Sequence, residues 1–166
     1  MAGLIDKLII TLDEMNNLYE QLIESGKEKR DVIIKNDIDS LQKINDNENI
    51  IIGKTLKLDK KREELFSDIA FVLNKEQEKM TLTKLIEYID KQSEAEEVKK
   101  ERNRSEKLLA ELKKTNEGNK VLIEESLSQA DFSMNLLRGS LSGRPYYCDA
   151  MGNEIPTDER LFDTKQ

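Results

Sequence analysis

The sequence predicts an all-α fold, an elongated antiparallel helical hairpin within a bundle of about four helices that pack like a coiled coil. Apolar residues recur at alternating steps of three and four, the spacing of helices that share a seam. In the first helix they are Ile5, Leu8, Leu12, Met15, Tyr19 and Leu22. Charged residues make up 37% of the chain and aromatic residues 5%, a composition typical of long helices with narrow cores.

The first two helices are predicted to form the hairpin. The apolar spacing predicts helices over residues 4–34 and 38–73. Asn36, between them, is a residue type that tolerates a left-handed backbone, and Asp37 is a favoured N-cap. Because this connection is short, the two helices should run antiparallel, each about 45–55 Å long.

The second half of the chain is predicted to add two further helices and a tail. The third helix begins near Thr81, after a polar loop. The apolar stripe of the fourth helix resumes at Leu108 and continues to about Leu141. Residues 91–104 are poor in apolar side chains, so they form either a solvated joint or a helix that projects beyond the hairpin. One helix over 81–141 would span about 90 Å, which favours a break near Gln92–Ser93. The predicted domains are a helical bundle, 1–141, and a mobile tail, 142–166, which holds both prolines.

Polar residues interrupt the apolar seam at several core-type positions. They are Glu48 and Arg62 in the second helix, and Asn116 and Asn119 in the fourth. Folding the hairpin at its turn brings Glu48 close to Ser25, Gly26 and Lys29, and brings Arg62 close to Thr11 and Glu14. Buried polar residues in a helical seam often fix its alignment. The alternative is that these layers open to admit a helix from a partner.

The fourth helix carries more apolar surface than one bundle face can bury. Its stripe consists of Ile123, Leu127, Ala130, Met134, Leu137 and Leu141, flanked by Leu122, Phe132 and Leu136. This surface is either internal core or a face that receives an amphipathic helix from another protein. Met134 would let such a face adapt to its partner.

Composition argues against several classes of function. The chain has no histidine and one cysteine, so His-based acid–base catalysis and a disulfide framework within the chain are excluded. No phosphate loop, metal-ligand pattern or cofactor motif is present, and an enzyme is disfavoured. The net charge of -7 offers no basic field for nucleic acid. No apolar run is long enough to cross a membrane, and no signal pattern precedes the first helix, which predicts a cytoplasmic protein.

Four segments, in a fixed order, carry a resemblance to a known family. They are Ile44–Glu48, Leu58–Arg62, Asn116–Ile123 and Tyr146–Gly152. Together they resemble the FlgN family of flagellar type III export chaperones. The third segment fits the family's Asn-x-x-Asn-x-x-Leu-aliphatic run, and the fourth is similar to its tail, in which a Tyr precedes a turn. The tail departs from that pattern in spacing, because Met151 lengthens the run to Gly152.

The resemblance implies a cytosolic helical chaperone without enzymatic activity or cofactors. Such a protein binds the C-terminal helical segments of hook–filament junction proteins, keeps them unassembled and delivers them to the flagellar export apparatus. It implies that Tyr147, or the adjacent Tyr146, docks at the export gate. The implied client-binding residues are Leu122, Ile123, Leu127, Met134, Leu137 and Leu141. A self-associating coiled-coil scaffold with no client is the alternative, and a homodimer in the absence of client stays open.

Overall fold

The computed structural model describes residues 2–74 and 81–141 and the short segments 147–148 and 154–155. Its helices are α1 (Ala2–Ile34), α2 (Ile38–Val72), α3 (Leu82–Tyr88) and α4 (Gln92–Leu141). Two strands, β1 (Tyr147–Cys148) and β2 (Glu154–Ile155), pair antiparallel. The predicted all-α class with four helices is confirmed. The chain divides into two compact units, residues 1–122 and residues 123–166.

A tight turn joins α1 to α2, as the sequence predicts. Asn36 adopts a φ of 54°, a left-handed conformation that asparagine tolerates better than most residues. The carboxylate of Asp37 accepts a hydrogen bond from the backbone N–H of Ser40 at 3.0 Å and caps the first turn of α2. The cap and the turn together fix where α1 ends and where α2 begins.

The main core lies where residues from all four helices meet. Its buried members are Ile5, Leu8, Leu12, Leu65, Ile69, Leu85 and Val98. The apolar spacing of α1 and α2 puts their members on facing sides of the hairpin. Leu85 of α3 and Val98 of α4 close this core, and both are fully buried. Each fully buried Leu, Ile or Val contributes about 1.5–3 kcal/mol before the entropy cost of ordering.

The chain breaks between α3 and α4 within three residues of the predicted position. Thr81 caps α3, since its hydroxyl accepts a hydrogen bond from the backbone N–H of Lys84 at 3.3 Å. Ile89 then turns to an extended conformation, and α4 begins at Gln92. Residues 92–107 do not form a solvated joint, because they are the first turns of α4. They do not project beyond the hairpin, because Val98 is fully buried in the main core.

The predicted tail, residues 142–166, lies outside the described residues apart from the two strands. Tyr147 pairs with Ile155 and Cys148 pairs with Glu154 in this short ladder.

Candidate functional site

Most of the predicted client-binding residues are exposed on α4. Leu127 is 60% exposed, Leu137 is 59% exposed, and Met134 and Ile123 are also exposed. At 3.6 residues per turn, residues 123, 127, 134, 137 and 141 lie on one side of the helix, along about 27 Å. We call Ile123, Leu127, Met134, Leu137 and Leu141 the α4 apolar face. Of Leu141 the structure describes the backbone only.

Two other large apolar residues of α4 point away from this face. Phe132 and Leu136 are 64% and 58% exposed, and their positions are close to half a turn from Leu127 and Met134. Leu122, by contrast, is half-buried and lies in phase with the buried Asn119. Leu122 therefore belongs to the inward side of α4, at the edge of the predicted stripe.

The residues on the buried side of α4 differ from those that the apolar pattern predicts. Its buried and half-buried residues fall at alternating steps of three and four: Val98, Glu101, Ser105, Leu108, Leu112, Thr115, Asn119 and Leu122. Asn119 is buried, as predicted for a core-type position. Asn116 is exposed, so the core-type position predicted for it is wrong, and Thr115 takes its place. The predicted seam also included Leu109, which is exposed.

Asn119 joins α4 to α1 at a point of close approach. Its side-chain Nδ2 donates a hydrogen bond to the backbone carbonyl of Gly26 at 2.7 Å. A Cβ atom added at Gly26 would lie 2.7 Å from the Thr115 methyl carbon, shorter than any ordinary contact. Gly26 is therefore the residue that allows the two helices to approach so closely.

Glu48 lies beside the residues that the folded hairpin predicts. Its carboxylate accepts a hydrogen bond from the Ser25 hydroxyl at 3.1 Å and pairs with the Lys29 ammonium group. Ser25 is adjacent to Gly26, so α1 makes polar contacts with α2 and with α4 at the same level. The Glu48 carboxylate therefore has both a hydrogen-bond partner and an ion-pair partner on α1.

Arg62 lies at the predicted level but has a different ion pair. Its guanidinium group contacts Asp59 of its own helix at 2.8 Å, whereas Glu14 is 3.9 Å from Lys61. The Arg62 Nε atom is buried and has no hydrogen-bond partner among the described residues. Tyr19 is close by, and burial raises the pKa of its hydroxyl while the positive charge of Arg62 opposes that rise.

A buried polar network links α1 to the first turns of α4. The side-chain amide of Asn16, which is fully buried, donates to the Glu101 backbone carbonyl at 3.1 Å and to its carboxylate at 3.0 Å. The Ser105 hydroxyl donates to the Asn16 side-chain oxygen at 2.6 Å. The Asn16 amide, together with the Arg104 guanidinium group at 3.5 Å, provides partners for the Glu101 carboxylate, which is otherwise costly to bury.

Arg104 extends this network to the surface. It donates to Asp13 at 2.6 Å, to Asn17 at 2.7 Å and to Glu20 at 3.0 Å. The hydrogen bond to Glu20 raises the pKa of the Arg104 guanidinium group. Burial opposes this rise, and the hydrogen bond to Asp13 adds to it. The sequence predicts either a solvated joint or a projecting helix for residues 91–104, and neither includes a buried polar network. The one signal that reveals the network is spacing, because Glu101 and Ser105 share the heptad phase of Val98 and Leu108.

The other predicted site residue, Tyr147, belongs to β1. Only its backbone is described, and Tyr146 lies outside the described residues. Among the side chains that the structure describes, no group of acidic or cysteine residues is arranged to hold a metal ion. None of the helices, within the described ranges, combines the length and the apolar character needed to cross a membrane.

Comparison with known proteins gives one match. The family model described as FlgN protein matches residues 1–151. No curated protein and no solved structure matches the sequence significantly. The match covers most of the chain, including all four helices and the predicted site residues. The chain therefore belongs to the FlgN family, a family of flagellar export chaperones that bind hook-associated proteins.

Proposed function

We propose that the α4 apolar face binds the C-terminal helical segments of hook–filament junction proteins in the cytoplasm. Binding keeps these segments unassembled until the chaperone delivers them to the flagellar export apparatus. The observation that carries the proposal is the row of exposed apolar side chains on one side of α4, above all Leu127, Met134 and Leu137. Contiguous apolar surface of this kind typically marks an interaction site.

The chemistry of the face suits a helical client. A segment that assembles through an amphipathic helix exposes an apolar stripe while it is unassembled, and the α4 apolar face offers that stripe a substitute partner. Burying about 400–600 Å² of apolar surface yields about 10–15 kcal/mol before costs. Losses from association and ordering remove much of this, which leaves affinities in the micromolar to nanomolar range.

Two further roles complete the proposal. Tyr147, or its neighbour Tyr146, docks the loaded chaperone at the export apparatus, an assignment that rests on the match of the tail to the family pattern. Glu48 and Asn119 fix the alignment of the bundle, since each makes hydrogen bonds between helices. Arg62 is the third member of this polar group, although its ion pair lies within α2.

The test is titration calorimetry with the C-terminal segment of a hook–filament junction protein from the same organism. Leu127→Asp and Leu137→Asp are each expected to lower affinity about 10- to 100-fold, because each removes about 1.5–3 kcal/mol of apolar burial. Ser128→Asp is the matched control, since Ser128 is exposed on another side of α4 and its replacement should leave affinity unchanged. Unchanged affinity in both Leu variants, with helicity retained, would move the site elsewhere.

Light scattering separates this function from the scaffold alternative. A 1:1 complex with the client segment supports the chaperone. A dimer of constant mass that ignores the client segment would instead make α4 a self-pairing surface.

A further inference from the structure

The row of apolar residues on the outer half of α4 is nearly symmetric about its own midpoint. Ala130 belongs to the same row as the α4 apolar face, and it lies as far before residue 132 as Met134 lies after it. Leu127 and Leu137 are likewise placed at equal distances on the two sides. The row advances by alternating steps of three and four, which are the core positions of a short coiled coil. Since Leu127, Met134 and Leu137 are at least half exposed, these core positions are open to a second helix.

A second copy of α4 fits this row when the two helices run antiparallel and are centred on residue 132. Each position then lies opposite the one at the same distance on the other side of that centre. Leu127 lies opposite Leu137 of the second copy, and Ala130 lies opposite Met134, so a small residue meets a long flexible one. Positions 123 and 141 meet at the two ends. A shift of one heptad in either direction would leave two core positions of each helix without an apolar partner.

The charges beside the row match in the same register. Glu124 and Arg138 lie along one edge of the α4 apolar face, and both are exposed. In the antiparallel pair, Glu124 of one copy and Arg138 of the second copy lie within about 3 Å of each other along the helix axis. The two-fold symmetry of the pair makes this contact twice. Asp131 meets only its own counterpart, so one repulsive contact stands against two attractive ones.

A parallel pair of the same helices lacks these features. Its edge charges would face Ser126 and Ser133 instead of residues of opposite charge. Ala130 would face Ala130, which would leave a void in the seam. The order of residues along α4 therefore selects an antiparallel second copy as the matching helix.

We propose that, in the absence of client, the α4 apolar face pairs antiparallel with the same face of a second copy, which a client must displace. The pairing itself is independent of the proposed function, and only the competition rests on it. One helical seam about 27 Å long buries less surface than the roughly 1,600 Å² of a standard interface. We expect a dissociation constant on the order of 10–100 µM, so the second copy covers the face and still leaves it when a client binds.

Charge variants of the full-length chain test this register by sedimentation equilibrium without client. Glu124→Arg and Arg138→Glu should each weaken self-association at least tenfold, because each turns both ion pairs into repulsions. An equimolar mixture of the two variants should restore association, since each edge Arg of one variant then faces a Glu of the other. Glu125→Arg is the matched control. Glu125 is exposed on another side of α4, so its replacement should leave self-association unchanged.

Three results would overturn the pairing. One is a wild-type chain that stays a monomer at about 500 µM, well above the expected dissociation constant. Another is a mixture of Glu124→Arg and Arg138→Glu that remains monomeric while circular dichroism shows both variants to be helical. The third is a loss of association in Glu125→Arg as large as that in Glu124→Arg, since it would reflect net charge alone.

Addition of the client segment of a hook–filament junction protein separates this inference from the proposed function. The measured mass should fall from two chains to one chain with one segment. The apparent affinity for the segment should also fall as the chain concentration rises above the dimer dissociation constant. A dimer that responds to the charge variants but ignores the segment would uphold the pairing and contradict the proposed function. A chain that binds the segment but is a monomer alone would uphold the proposed function and overturn this inference.

Discussion

At the scale of the residue, Gly26 determines how closely α1 and α4 can approach. A Cβ at this position would lie 2.7 Å from the Thr115 methyl carbon. We expect Gly26→Ala to lower the free energy of unfolding by about 1–2 kcal/mol. Overpacking of this kind costs about 1–3 kcal/mol, and the better helix propensity of alanine recovers up to about 1 kcal/mol. Urea denaturation measures the difference.

Two variants make this measurement specific. Gly118 lies within α4 with nothing within 4 Å of an added Cβ, so Gly118→Ala should raise the free energy of unfolding by about 0.5–1 kcal/mol. Thr115→Ser removes the clashing methyl group and should restore part of the stability lost in Gly26→Ala. If Gly26→Ala proves as stabilising as Gly118→Ala, the close approach of the two helices is wrong.

At the scale of the element, a polar network and not an apolar seam alone attaches the first half of α4 to α1. Asn16 makes two hydrogen bonds to Glu101 and accepts one from Ser105. We expect Asn16→Ala to lower the free energy of unfolding by about 2–3 kcal/mol, because it leaves a buried carboxylate without its amide donor. Hydrogen exchange of the α4 amides near Glu101 should accelerate in the same variant.

The neighbouring residue provides the control for this prediction. Asn17 contacts Arg104 at an exposed position, so Asn17→Ala should change stability by no more than about 0.5 kcal/mol. Equal effects at the two positions would show that the buried network contributes nothing beyond a surface contact.

The elements differ in how far the sequence determines them. The helices α1 and α2 could be predicted to within a residue or two because their apolar seam is regular and Asn36 and Asp37 mark the turn. The phase of α4 could not be assigned, since Leu108, Leu109 and Leu112 fit two seams equally well. In the structure, Glu101 and Asn119 are buried, which identifies the seam that contains Leu108 and Leu112. Because these two residues are polar, a pattern of apolar residues could not identify that seam.

The functional-site residues were likewise predictable only in part. Surplus apolar residues on α4 were visible in the sequence, because one bundle face cannot bury residues on all sides of a helix. The buried network of Asn16, Glu101 and Ser105 was not, since it requires residues of α1 and α4 to meet. Contacts between residues so distant in the chain depend on the packing of the helices and leave no local pattern.

At the scale of the whole molecule, core and proposed client face occupy different units. The buried apolar side chains, among the described residues, all lie between Ile5 and Val98. The α4 apolar face lies between Ile123 and Leu141, in the second unit. A division of this kind would let the proposed client face change without loss of the residues that stabilise the fold.

A shortened chain tests this division. We expect residues 1–126, which keep about two turns beyond Asn119 and its bond to Gly26, to unfold in a single cooperative transition. The melting temperature should lie within about 5 °C of the full-length value, since no core residue is removed and the loss should stay near 1 kcal/mol. The same chain should lose its affinity for the client segment. A broad transition, or a far lower melting temperature, would mean that residues beyond 126 support the core.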